Sequence, residues 1–197
     1  MSDTFSLAAD DIDVAELFEG SSQFTVPDYQ REFSWGKDQF GELWDDILAL
    51  TRGRSNHYLG SIIVIKNSGD DIKELQVVDG QQRLTTISII LSVIRDQFDG
   101  TDNDEYENIP DLIDGFLWTT SSISGKRHQK LLLNKYHNDE FRRVLDGNFD
   151  LIDDNSPIKD AYDYYYEKMN NYSLDKVENL RREIIQSISL VEIEVGS

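Results

Sequence analysis

Asp79-Gly80-Gln81-Gln82-Arg83 sets a carboxylate, a glycine, two amides and a guanidinium between two apolar runs. Four polar groups in such a place are costly to bury unless a ligand or a network satisfies them. Glycine permits a tight turn and close backbone approach. Arg83 offers a forked cation that matches phosphate oxygens. Gln81 and Gln82 both donate and accept, so they would position a phosphate or a water. Asp79 would hold a divalent cation, Mg²⁺, or orient a nucleophilic water. If Leu75–Val78 is a strand and the next apolar run a helix, the pentad stands at a strand's C-terminal end. Free first-turn amides and the positive end of the helix dipole meet there. This is the chemistry of a phosphate or nucleotide pocket. The structural alternative has Asp79 capping the helix and Arg83 paired with an internal acid, since Asp-Gly turns are common. The spacing is neither a Walker loop nor G-x-G-x-x-G, so it does not name the ligand.

A second cluster, Val26-Pro-Asp-Tyr-Gln-Arg-Glu-Phe-Ser-Trp35, follows the same logic. A loop exposing all its aromatics would waste apolar area. Phe33 and Trp35 are therefore expected in the core, with Gln30 and Arg31 facing a cleft. Arg31 would add a second cation; the alternative is that it pairs with surface carboxylates, which contributes little.

The elements that must position these groups follow from periodicity. Asp13–Phe18 predicts a short helix ended by Gly20, and Gln23–Val26 a strand stopped by Pro27. Phe40, Leu43, Trp44, Ile47 and Leu50 share one helical face over 37–51, with Gly53 beyond it. Tyr58–Lys66 and Lys73–Val78 predict a hairpin around the turn residues 67–71. The helix after Arg83 is apolar nearly all round, hence central and buried. Residues 99–111 predict an exposed acidic loop. Phe116–Thr120 and Lys130–Leu133 predict strands flanking Ser124-Gly125. His137–Leu145, Pro157–Asn170 and Leu174–Ser187 predict helices, with Ser156 and Ser173 as caps and Pro157 in a first turn. Leu190–Val195 alternates as a strand. That ending, with Gly196-Ser197 read as an expression scar, gives the expectation of a piece of a longer protein.

Composition narrows the function classes. The 197 residues are 39% hydrophobic and contain no cysteine, which excludes disulfides, thiolate metal sites and a thiol nucleophile. The start is acidic rather than signal-like, and the longest apolar run is too short for a bilayer, so a cytoplasmic location without membrane association is expected. With 38 acidic against 19 basic residues, the net charge is −19. This argues against a broad electrostatic grip on nucleic acid, although it does not exclude a small local basic patch. The densest basic run, Lys126–Lys130, reads as a solvated hairpin tip, with contact to DNA phosphates as the alternative. Tyr162, Tyr165, Tyr166 and Met169 follow helical spacing and read as core or interface rather than a base-stacking platform. Asp45 and Asp46 are adjacent on a helix and so face different directions, against a two-metal site. His57, His128 and His137 have no metal-ligand spacing, and His137-Asn-Asp reads as a solvated helix cap.

The segments VPDYQREFSW, LWDDIL, HYLGSIIVI and VVDGQQRLTTISIIL occur in the order typical of one family. Together with KLLLNKYHNDEF and IKDAYDYYYEKM, they make the chain from about Val14 onward resemble the N-terminal domain of GmrSD-type type IV restriction systems, relatives of the ParB and sulfiredoxin-like superfamily. The resemblance implies an α+β fold: a small mixed sheet of ParB/sulfiredoxin-like type over 1–133, then a helical extension over 134–197. It implies an NTP-binding and NTP-hydrolysing regulatory domain in phage defence. Asp79, Gln81, Gln82 and Arg83 would carry catalysis; Gly80, Arg83, Arg31 and Gln30 would bind nucleotide with Mg²⁺ at Asp79; and Tyr29, Gln30 and Arg31 would sense modified DNA. The partners implied are a nucleotide, DNA through the full-length protein, and an HNH-type nuclease domain or subunit. Family members often continue into an F-E-x-x-N-like segment and an HNH domain, which are missing here, so no nuclease activity is expected of this chain. The alternatives are a non-catalytic sensor of modified DNA and a scaffold for a nuclease partner.

Overall fold

The run His57–Asn67 forms β3, which pairs antiparallel with β4 (Lys73–Asp79), as the alternating pattern predicts. The computed structural model describes residues 7–52, 57–67 and 71–195; Gly53, most of the hairpin turn and Gly196-Ser197 lie outside them. With β1 (Leu7–Asp13), β2 (Ser22–Thr25), β7 (Leu131–Leu132) and β8 (Ile188–Val195), the hairpin builds a six-stranded mixed sheet in the order β1-β8-β3-β4-β2-β7. The final strand, β8, lies inside the sheet, antiparallel to β1 and parallel to β3. The fold is α+β.

The helices are α1 (Val14–Leu17), α2 (Lys37–Leu50), α3 (Gln81–Phe98), α4 (Ile109–Leu117), α5 (Asn138–Leu145), α6 (Pro157–Met169) and α7 (Leu174–Ser187). As its composition predicts, α3 is central, and it packs against α4, α5, α6 and α7. Its polar residues are compatible with burial because each hydroxyl closes a bond to the preceding turn. Thr85 donates to the Gln81 carbonyl and Thr86 to that of Gln82, both at 2.8 Å, while Ser88 and Ser92 bond one turn back at 2.9 and 3.0 Å. Ser156 and Ser173 cap α6 and α7 as expected. Tyr162, Tyr165 and Met169 are buried, and the Tyr165 ring packs 5.8 Å from Phe40 and 6.0 Å from Trp44.

Three expectations are corrected. Phe116 and Leu117 end α4 instead of beginning a strand, because Ile109, Ile113 and Leu117 bury one helical face. What remains, β5 (Trp118–Thr120), pairs with β6 (Arg127–Gln129), while β7 leaves to join β2 in the main sheet. The 99–111 segment is not wholly exposed. Tyr106 is buried and donates to Asp175, a bond that pushes its phenol up to about 12. Lys130 does not belong to an exposed basic patch. It is only 4% exposed, its ammonium donates to the Phe18 carbonyl at the end of α1, and burial lowers its pKa.

A buried acid in α7 gives a pH-dependent signature. Burial alone would raise the Glu178 pKa, but hydrogen bonds from Arg181 (2.6 Å) and Arg182 (2.7 Å) hold it below its ordinary value of 4.5. A depressed folded-state carboxylate stabilises above the unfolded pKa, and that stability is lost as pH falls through the folded one. Glu178→Gln is therefore expected to flatten the fall in stability below about pH 4.5, measured by urea denaturation at a series of pH values.

Candidate functional site

Gly80 joins β4 to α3 with φ +96°, a conformation side chains rarely adopt. A Cβ there would also lie 3.0 Å from Ile62 Cγ1 and 3.3 Å from the Ser61 carbonyl, so both conformation and space require glycine. No side chain caps the first turn of α3, so Asp79 does not act as the helix cap. Asp79 is exposed at the end of β4, and its carboxylate makes no hydrogen bond or ion pair among the described residues.

Arg83 runs back from this turn along β3. It donates through Nη1 to the Ser61 carbonyl and lies flat against Gly60, where a Cβ would come 3.1 Å from Nη1 and 3.2 Å from Cζ. Among the described residues no carboxylate pairs with Arg83 or with the exposed Arg31. The internal pairing alternative is thus absent for Arg83, and the surface pairing alternative for Arg31. Sequence reasoning missed Gly60, although a glycine inside a β-branched strand is itself a signal of close approach by another group. Gly60→Ala, with φ at +110°, is expected to cost about 1–2 kcal/mol and to weaken anion binding up to about tenfold by displacing the guanidinium. Thermal unfolding and titration with an anionic ligand would show both.

The loop from Pro27 to Gly36 faces this turn. As expected, Phe33 is buried and Trp35 is partly buried against the core. Three side-chain amides hold the loop backbone, and a fourth, on the loop itself, ties it to β4. Gln82, fully engaged at both ends, accepts from the Ser34 and Trp35 amides at 2.9 and 3.2 Å and donates to the Glu32 carbonyl at 2.9 Å. Gln81 Nε2 donates to the Arg31 carbonyl at 2.8 Å, and Asn134 Nδ2 lies 3.3 Å from the Gln30 carbonyl. Gln30 in turn donates to the Val77 and Val78 carbonyls at 2.7 and 3.0 Å, tying the loop to β4. Gln82, expected to face phosphate or water, is therefore a positioning residue; burial left its amide to find backbone partners. Tyr29 is 78% exposed, with its hydroxyl accepting from Gln76 at 2.7 Å.

Between turn and loop lies a cleft of about 390 Å³, lined by Tyr29, Gln30, Arg31, Trp35 and the run Val78–Arg83. All the residues expected to form the site thus meet in one cavity, including Gln81 and Gly80. The Gln81 Oε1 has no partner among the described residues. No group of three or more His, Cys, Asp or Glu able to hold a metal occurs among the described residues. Asp79 alone would hold Mg²⁺ only as one ligand beside phosphate oxygens, a coordination Mg²⁺ commonly accepts. His137 is not a solvated cap. It occupies the N-cap position of α5 but makes no capping bond, and its ring lies between Glu32 and Glu140.

Together, the glycine turn, the helix start without a side-chain cap and two guanidiniums that have no acidic partner among the described residues line one cleft of an α+β domain. Sequence comparison identifies its family: the N-terminal domain of the GmrSD restriction endonuclease matches residues 14–197, and the chain belongs to that family. The match runs from the start of α1 and takes in both the cleft loop and the DGQQR turn. A search of curated proteins finds no match. No helix among the described residues is long and apolar enough to cross a membrane.

Proposed function

We propose that this restriction-system domain binds and hydrolyses a nucleoside triphosphate, and that occupancy of its cleft regulates a nuclease in the full protein. The observation that carries this reading is the convergence of Arg83, Arg31 and the uncapped first turn of α3 on one cleft in a chain of net charge −19. An acidic protein in which two guanidiniums at one cavity pair with no acid among the described residues favours an anionic occupant there. The cavity also falls in the usual range for small-molecule sites. Arg83 and the first-turn amides would hold phosphate oxygens, with Arg31 opposite them on the loop. Mg²⁺ arriving with the nucleotide would neutralise developing charge on the phosphates. Asp79 would take one place on that ion or orient the attacking water, and the free Gln81 Oε1 would accept a hydrogen bond from that water. Gly80 allows the close approach, while Gln82 and Gln30 hold the loop. The ParB-like relationship, DNA contact and an HNH-type nuclease partner belong to this same reading of the whole protein.

Calorimetric titration with ATP, GTP, CTP and UTP, each with Mg²⁺, tests the proposal. Saturable heat is expected for at least one nucleotide, with phosphate release on incubation. No saturable heat for any of them, from protein shown to be folded, overturns it.

The exposure of Tyr29 at the cleft rim favours a second reading, in which Tyr29, Gln30 and Arg31 sense a modified base or backbone in DNA. Because Gln30 also braces β4, Tyr29→Ala is the cleaner probe. Loss of preference for modified over plain DNA in that variant, with Asp79→Ala silent, would favour sensing without turnover.

A further inference from the structure

The loop that carries Arg31 is held on two sides. The α3 glutamines hold one side; the turn between β7 and α5 holds the other. Buried Asn134 reaches the Gln30 and Arg31 carbonyls, and the Lys135 amide donates to Asp28 Oδ1 at 3.0 Å. His137, with a side chain only 13% exposed, sits between two acids. Its Nε2 is 3.5 Å from Glu32 of the loop and its Nδ1 is 3.1 Å from Glu140 of α5. The same Glu140 oxygen accepts from Ser156 Oγ at 2.7 Å, and Ser156 Oγ caps α6 by accepting from the Ile158 amide at 3.2 Å. Behind the loop is a small void of about 10 Å³ lined in part by Arg31, Gln82, Asn134 and His137.

We propose that His137 is a positioning residue for the cleft. Through the chain Glu32–His137–Glu140–Ser156, it sets the stance of the Arg31 loop and couples that stance to the α5–α6 corner. The ring's contacts with Glu32 on one side and Glu140 on the other hold the loop from the side opposite Gln82. Occupancy of the cleft, by moving Arg31, would then be felt at the start of α6. This second step rests on the reading of the cleft as an anion site. The loop clamp does not.

Hydrogen–deuterium exchange on the folded chain without ligand separates the two. The Ser34 and Trp35 amides, both bonded to Gln82, report on the loop; Val64 and Val77 in β3 and β4 serve as core references. Glu32→Gln changes a side chain that is 54% exposed, so folding is not at stake. In Glu32→Gln and in His137→Gln, the two loop amides are expected to exchange about two- to fivefold faster with the references unchanged. The double variant is expected to match the faster single one, because both act through a single contact. Unchanged loop exchange in both variants overturns the proposal, and so do effects that multiply in the double variant. Titration with inorganic tripolyphosphate and Mg²⁺ then tests the coupling. Wild-type binding that weakens about two- to fivefold in His137→Gln supports it, and equal affinity in the two proteins overturns it. Faster loop exchange with no tripolyphosphate bound by the wild type leaves the clamp standing and removes the anion reading.

Discussion

Arg83→Met is expected to abolish measurable nucleotide binding while leaving the fold intact. The guanidinium belongs to the first turn of α3, lines the cleft and makes no ion pair among the described residues, so its removal strands no acid. Charge-assisted hydrogen bonds contribute about 1.5–3 kcal/mol each, so loss of one would weaken binding by roughly 10- to 100-fold and loss of two by roughly 100- to 10,000-fold. Methionine gives up the guanidinium's contact with Gly60, but Arg83 is only partly buried and water can satisfy the Ser61 carbonyl, so the unfolding midpoint should shift little. Arg83→Lys retains the charge but not the fork, and is expected to recover only part of the affinity. Titration beside thermal unfolding separates binding from stability. Wild-type affinity in Arg83→Met would move the anion away from this corner.

Gln82→Leu is expected to produce the largest loss of stability at the site. Gln82 is buried, and its amide makes three hydrogen bonds to the loop backbone. Leucine fills similar space but strands the Ser34 and Trp35 amides and the Glu32 carbonyl. A polar group left unsatisfied costs about 1–3 kcal/mol, less where the loop swings out to water, so about 3 kcal/mol overall is reasonable. For a chain of this size that corresponds to a fall of roughly 6–12 °C in Tm. Nucleotide affinity should fall with it, because Arg31 and Trp35 ride on the released loop. Gln81→Leu, which removes a single bond to the Arg31 carbonyl, should cost markedly less stability. Calorimetric melting of the two variants side by side checks the ranking; equal losses would contradict the geometry.

Much of the fold was legible because its signals are local. The β3–β4 hairpin, the buried face of α2, the apolar α3 and the serine caps follow from period and capping chemistry within a few residues of each other. The place of β8 between β1 and β3 was not legible, since strand order is decided by packing among distant segments. At α4 two periods competed over the same residues, and burial of Ile109, Ile113 and Leu117 decided for the helix. The site divides the same way. Glycine, arginine and the strand–helix turn marked the cleft, but a glutamine in a first turn reads alike whether its amide meets a ligand or a loop. Asn134 and His137 gain their roles from contacts about a hundred residues away, such as that between Asn134 and the Gln30 carbonyl at a separation of 104. No local pattern encodes such a contact.

The claim that an anion sits past Gly80, held by Arg83 and the opening amides of α3, is tested most directly by crystals soaked with a Mg²⁺–nucleotide. The account predicts phosphate density within hydrogen-bonding distance of the Gln81–Arg83 amides and the Arg83 guanidinium, with Arg31 drawn toward it. A nucleotide well ordered elsewhere on the protein, with this corner filled only by water, would contradict it.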